Sequence, residues 1–266
     1  METATSADGT VIVYEQAGDG PVLIVSTGAF CDRKTFVVPD DLAQRFTVVT
    51  YDRRGRGDSG DNAGDVGDGG SVAAEREYED LAAVAAATGS VPPFVFGHSS
   101  GAAIALRAAA AGLPVAGIIA YEAPFGNDET PVPVGDPAER IAALVAAGDR
   151  REAVVYWMTE VVRVPGMTRE ALADAPWVAA LEPFTPTLPY DIAVADGGVP
   201  TAELGRITAP VLVVGGGDSP AGFRRSVAEQ AAAIGGARLR MLDGLGHNAP
   251  HELIAEIMFD FFCYSE

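Results

Sequence analysis

Residues 93–106 read Pro93-Phe94-Val95-Phe96-Gly97-His98-Ser99-Ser100-Gly101-Ala102-Ala103-Ile104-Ala105-Leu106. An apolar strand-like run ends here in a GxSxG pattern, and an Ala-rich helical run begins at once. The flanks carry the argument, because five residues alone match often by chance. A tight strand-to-helix turn holds its central serine in a strained conformation and exposes Oγ, and glycines at the flanks remove Cβ atoms that would collide. Ser99 would also sit at the N-terminus of the helix, whose free N–H groups favour developing negative charge. The stretch therefore predicts an exposed, nucleophilic Ser99.

Outward from this turn, β-type runs at 11–15, 22–25, 46–52, 94–97, 115–122, 211–215 and 237–242 alternate with helical patterns at 71–88, 99–111, 222–234 and 250–262. That alternation predicts an α/β fold, a mostly parallel doubly wound sheet with helices on both faces. The turn at 17–20 predicts that the first run forms an antiparallel edge hairpin with the second. Between Phe125 and Arg206 the alternation stops. Helical patterns at 136–148, 149–163 and 168–181, punctuated by prolines, predict a helical cap at 125–205 inserted in a core of 1–124 and 206–266. Phe30, Phe125, Trp157, Met158, Trp177 and Phe184 are candidates for lining a substrate pocket.

The chain has 266 residues, 48% of them hydrophobic and 21% charged, enough apolar material for one large core. Its net charge of −19 repels phosphate backbones and anionic lipid, so neither nucleic acid nor a membrane surface is expected as partner. Neither a basic segment followed by an apolar run near the start nor an apolar span of bilayer length occurs, which predicts a cytoplasmic protein. Oligomeric state is not legible. Cys31 and Cys263 lie too far apart, without CxxC or Cys/His spacing, to suggest a disulfide framework or a zinc site. The Gly- and Asp-rich segment 57–70 predicts a surface loop, and it lacks the DxDxDG spacing of a calcium loop. No cofactor motif is present: neither GxxxxGK[ST] nor a GxGxxG opening a helix occurs, and no metal is expected. A small-molecule substrate is the remaining partner.

A serine hydroxyl needs a base to take its proton, and imidazole is the usual one. Of three histidines, His98 adjoins Ser99 and points away from it, bracing the turn, while His251 falls at the start of a helix as a surface residue. His247, in Leu245-Gly246-His247-Asn248-Ala249-Pro250, follows the last strand, at the sheet edge where open α/β sheets place their sites. His247 is the expected base.

GHSSG at 97–101, VTYDRRGRGDSG at 49–60 and GLGHNAP at 244–250 occur in the order found in the α/β-hydrolase superfamily, which the chain resembles over nearly its whole length. The resemblance, to the serine-hydrolase branch, implies an eight-stranded sheet, a Ser–His–acid triad and an oxyanion hole. The hole would be formed by the backbone N–H of Ser100 and of Ala29, with Phe30 as the alternative in a loop that departs from the family's frequent His-Gly.

Two residues compete for the acid. Many relatives place an Asp after the strand at 211–215, where Asp218 lies one residue early and Ser219 holds the register. Glu122 ends the strand VAGIIAYE, a position similar to that of the acid in zearalenone lactonases and several haloalkane dehalogenases. A carboxylate closing an apolar buried strand needs a partner, whereas Asp218 in a Gly-rich loop can be solvated freely. Glu122 is preferred and Asp218 remains open. The cluster Arg53-Arg54-Gly55-Arg56 is expected to tie loops together.

The reaction implied is hydrolysis of an ester or lactone of a medium-sized, apolar substrate through an acyl-enzyme. A serine at the elbow argues against the Asp-nucleophile chemistry of dehalogenases and epoxide hydrolases. A lyase, perhydrolase or cyclase on the same scaffold is the second reading, and a non-catalytic ligand-binding module the third.

Overall fold

The computed structural model describes residues 1–62, 70–89, 92–127 and 135–264. Half of the predicted surface loop, residues 63–69, lies outside them. Eight strands are seen: β1 (Glu2–Thr5), β2 (Val11–Ala17), β3 (Val22–Ser26), β4 (Thr47–Tyr51), β5 (Phe94–His98), β6 (Gly117–Tyr121), β7 (Val211–Gly216) and β8 (Arg238–Leu242). They form one sheet in the order β1-β2-β4-β3-β5-β6-β7-β8. From β4 to β8 every pairing is parallel, as the alternation of runs predicts.

The edge differs from expectation. β2 does not pair with β3; it lies antiparallel between β1 and β4, with Tyr14 opposite Tyr51. The partner of the edge hairpin is β1, whose four residues ETAT carry too little apolar signal to mark a strand. Gly18 and Gly20, both at positive φ, press on the backbone at 43–46 and route the chain past that pairing to β3 on the far side of β4.

Helices α1 (Asp40–Ala43), α2 (Gly70–Ala87), α3 (Ser100–Ala110), α9 (Ala221–Ala233) and α10 (His251–Tyr264) clothe the sheet. β3 is buried on both faces, so its apolar run is continuous and its side chains divide by parity. Ile24 joins Val95, Ile118 and Val213 beneath α2, α3 and α9, while Leu23 and Val25 join Phe96, Ile119 and Val214 against α10. Each such Ile or Leu contributes about 1.5–3 kcal/mol by leaving water.

Between β6 and β7 the described residues form helices and no strand: α4 (Pro137–Ala146), α5 (Arg150–Tyr156) continued by a π-turn at Trp157–Val161, α6 (Arg169–Ala173), 3₁₀ turns at Pro176–Ala180 and Glu182–Thr187, α7 (Leu188–Ala195) and α8 (Thr201–Leu204). α4 begins where its sequence says it will, because the Asp136 side chain accepts from the N–H groups of Ala138 and Glu139 and Pro137 takes the first turn. Pro176 breaks the pattern expected over 168–181 into α6 and a 3₁₀ turn. α7 and α8 turn back onto the core, α7 packing on α2 and α3 with Val194 in the core beneath it.

Candidate active site

Three neighbouring strands, β3, β5 and β6, end side by side, and their C-terminal ends carry three of the site's loops; the fourth, with His247, follows β8. Ser26 of β3 is level with Gly97 of β5, and His98 is level with Tyr121 of β6. Ser99 is the first residue beyond β5. Its N–H donates to the Tyr121 carbonyl at 2.9 Å, and its φ of 56° and ψ of −128° are those of a strained turn. Glycine is required on both flanks: a Cβ at Gly97 would fall 2.5 Å from the Ala102 Cα, and one at Gly101 2.1 Å from the Ser26 carbonyl oxygen. Ser99 Oγ makes no hydrogen bond among the described residues. α3 follows with an apolar, Ala-rich face fully buried against the sheet.

Glu122, the first residue beyond β6, is also held at positive φ (49°) and is completely buried. Its Oε2 lies 2.6 Å from His247 Nδ1, and its Oε1 accepts the Gly216 N–H at 2.8 Å. Burial would push this carboxyl up, but the bonds from His247 and the Gly216 N–H outweigh it and hold the pKa below the ordinary carboxylate value. Because Nδ1 faces a carboxylate, it carries the proton, leaving Nε2 as the acceptor. The His247 ring packs between His98 (4.8 Å between centroids) and Phe223 (5.5 Å), with its side chain 38% exposed. Asp218 is exposed in the loop after β7, and the structure does not bring it to His247. Ser219 is buried in that same loop.

His98 Nε2–H donates to the His247 carbonyl at 2.8 Å, so the residue before the serine braces the loop that carries the base. Burial, reinforced by the neighbouring His247, lowers the His98 pKa to about 4, and the ring is neutral near pH 7. His251 opens α10 and packs on Phe36, 4.8 Å between ring centroids.

On the opposite side of Ser99, Gly28 runs so close that a Cβ there would sit 2.7 Å from the Ser99 Cβ and 3.3 Å from its Oγ. The backbone N–H groups of Ala29 and Ser100 donate no hydrogen bond among the described residues. Arg53, Arg54 and Arg56 are all buried and tied to acids: Arg53 to Glu77 and Asp191, Arg54 to Asp80 and Asp8, Arg56 to Asp191.

A model of the "Alpha/beta hydrolase family" matches residues 22–256, most of the chain. The chain belongs to the alpha/beta hydrolase family. Its fold superposes on an alpha/beta hydrolase from Sphaerobacter thermophilus DSM 20745 with a TM-score of 0.87 at 41% identity, covering 98% of this chain and all of that one. An enol-lactonase from Burkholderia xenovorans LB400 shares the fold at 19% identity (TM-score 0.75; 98% and 100% covered). So does esterase RhEst1 from Rhodococcus sp. ECU1013 at 21% (TM-score 0.71; 99% and 98% covered). A 99-residue stretch is 38% identical to the hydrolase YraK of Bacillus subtilis, but the match spans 37% of this chain and only 35% of that protein. Together these support a hydrolase.

In this alpha/beta hydrolase the predicted pocket residues separate. Phe30, at φ 58°, meets Trp157 edge-on at 6.1 Å and packs with Met158, joining the loop after β3 to the helices after β6. Phe125 is buried in the main core under Arg107, and Trp177 is 46% exposed. Phe184 is half-buried in its 3₁₀ turn. The sequence reading missed Asp191, Thr187 and Phe223. Asp191 had a signal: an acid inside the apolar run LPYDIAVA needs a buried partner, the argument already applied to Glu122. Among the described residues no cluster of three or more His, Cys, Asp or Glu is arranged to hold a metal, and no helix is long and apolar enough to cross a membrane.

Proposed function

We propose that this chain is a serine hydrolase that cleaves an ester or lactone of a medium-sized, largely apolar small molecule through an acyl-enzyme. The observation that carries the reading is the 2.6 Å contact between His247 Nδ1 and the buried Glu122, beside a turn with a half-buried Ser99 at its strained apex. His247 Nε2 takes the Ser99 proton as Oγ attacks the carbonyl carbon, the hydrogen bond between them forming as substrate is seated. The backbone N–H groups of Ala29 and Ser100, together with the N-terminus of α3, receive the charge on the tetrahedral oxyanion. Glu122, ionised throughout, stabilises the imidazolium. His247 then gives its proton to the leaving alcohol, and water, deprotonated by the same imidazole, releases the acid and restores Ser99.

The helices between β6 and β7 act as a cap, and Phe30, Trp157 and Met158 supply the apolar surface that suits such a substrate. The two unpaired cysteines suit a reducing cytoplasm. The expected outcome is labelling of Ser99 by a fluorophosphonate and turnover of a chromogenic short-chain ester. Ser99→Ala is expected to lower kcat by about 10⁶. Near wild-type turnover in that variant overturns the assignment; labelling without turnover of esters, lactones or thioesters points instead to a non-hydrolytic reaction at the same serine.

A further inference from the structure

Beneath the loop that faces Ser99 lies a cluster of permanent charges that the reaction above does not use. Asp191, from α7, is 3% exposed. Its Oδ1 accepts from Ser100 Oγ at 2.5 Å and from Arg53 Nη1 at 2.8 Å, and its Oδ2 accepts from Arg56 Nη2 at 2.7 Å. Arg56 also donates to the Gly28 carbonyl (2.6 Å), Thr187 Oγ1 (3.1 Å) and the Cys31 carbonyl (3.4 Å). Arg53 reaches the Thr27 carbonyl (3.3 Å) and Ser100 Oγ (3.0 Å), and is neutralised on its far edge by Glu77.

The bond to Gly28 has a geometric consequence. The Gly28 carbonyl and the Ala29 N–H belong to one planar trans peptide, so they point in opposite directions. A guanidinium that fixes the oxygen on its own side turns the Ala29 N–H to the other, and polarises it. On the second side, the Ser100 hydroxyl is locked onto the same carboxylate, which holds the first residue of α3 and with it the Ser100 N–H.

We propose that Asp191 is a positioning residue for the oxyanion hole: gripped by Arg53 and Arg56, it sets the Ser100 N–H directly and the Ala29 N–H through Arg56. This rests on the serine-hydrolase reading of Ser99. It also makes competence depend on the seating of α7, so that helix and catalytic donors form one unit. Stability alone does not call for this arrangement, because buried ion pairs are commonly matched by apolar packing. What the charges add is direction.

The test compares Ser100→Ala, Asp191→Asn and the double variant with wild type on a chromogenic ester, each rate divided by the sites titrated with a fluorophosphonate. Displaced donors cost rate steeply, so each single variant is expected to lose kcat on the order of tenfold or more with KM within about twofold. A trifluoromethyl ketone, whose serine adduct places an oxyanion in the hole, is expected to weaken by the same factor. The double variant is expected to be no worse than the poorer single one. Should Asp191→Asn fail to fold, Ser100→Ala decides alone, since it leaves Asp191 paired with both arginines. Wild-type kcat per titrated site in Ser100→Ala, with unchanged ketone affinity, overturns the proposal. Absence of Ser99 labelling in wild type overturns the underlying reading instead, before any variant is compared.

Discussion

On the His247 side of Ser99 the groups are held by one short contact to a buried carboxylate, by a neutral histidine and by ring packing. On the Gly28 side they are held by two guanidiniums around one carboxylate. The contrast follows from what each side does in the proposed reaction. A base must gain and lose a proton, so its surroundings carry a single compensating charge and leave Nε2 without a hydrogen bond among the described residues. A donor of hydrogen bonds never changes protonation, so it can be fixed by arginines, which never lose theirs. The two sides should therefore fail differently: the base side in proton transfer and its pH dependence, the donor side in kcat alone.

The largest effect after loss of the serine is expected at Glu122. Glu122→Gln keeps the shape but presents no charge to the imidazolium and permits the wrong tautomer, so kcat is expected to fall by about 10³–10⁴. Asp218→Asn, in the exposed loop, is expected to stay within about twofold. Parallel kcat measurements decide between them, and a reversed pattern assigns the acid to Asp218.

The donor side is probed without touching a charge by Gly28→Ala. Its new methyl must occupy space 2.7 Å from the Ser99 Cβ, so the loop or the serine shifts by several tenths of an ångström. The φ at Gly28 is one an alanine adopts, so the penalty lies in placement. kcat is expected to fall by about 10² with KM little changed. Wild-type kcat would mean that this loop does not hold the oxyanion.

These contrasts also show what sequence can carry. The elbow was legible because its strand, glycines and helix are contiguous, and Glu122 and His247 because each closes or follows a strand whose apolar run marks it. The helices between β6 and β7 were legible up to Pro176, where proline chemistry cut a continuous pattern into turns. β1 was not legible, since ETAT is stabilised by pairing with β2 and not by its own composition. Nor was the partner of Arg53 and Arg56: Asp191 lies more than 130 residues away, and only the return of α7 onto the core brings the three together. Phe125 illustrates the converse, an aromatic expected in a pocket that packs into the core under Arg107.

The smallest expected effect is on stability and belongs to His98. Folded, the ring is neutral down to about pH 4, because burial and the adjacent His247 disfavour its charge; unfolded, it takes a proton below about 6.5. The unfolded chain thus binds the extra proton between those values, and the contribution, fully present above pH 6.5, is lost as pH falls toward 4. Between pH 7 and 5 the loss is about 2 kcal/mol, or about 5 °C in Tm for a chain of this size. His98→Gln retains a side-chain N–H for the His247 carbonyl but cannot titrate. Its Tm is therefore expected to drop less than that of wild type over the same interval, by about that amount, in parallel thermal melts. Equal drops would mean that His98 is charged in the folded protein; a neutral His98 leaves His247 as the one imidazole of the pair to take up charge in the proposed reaction.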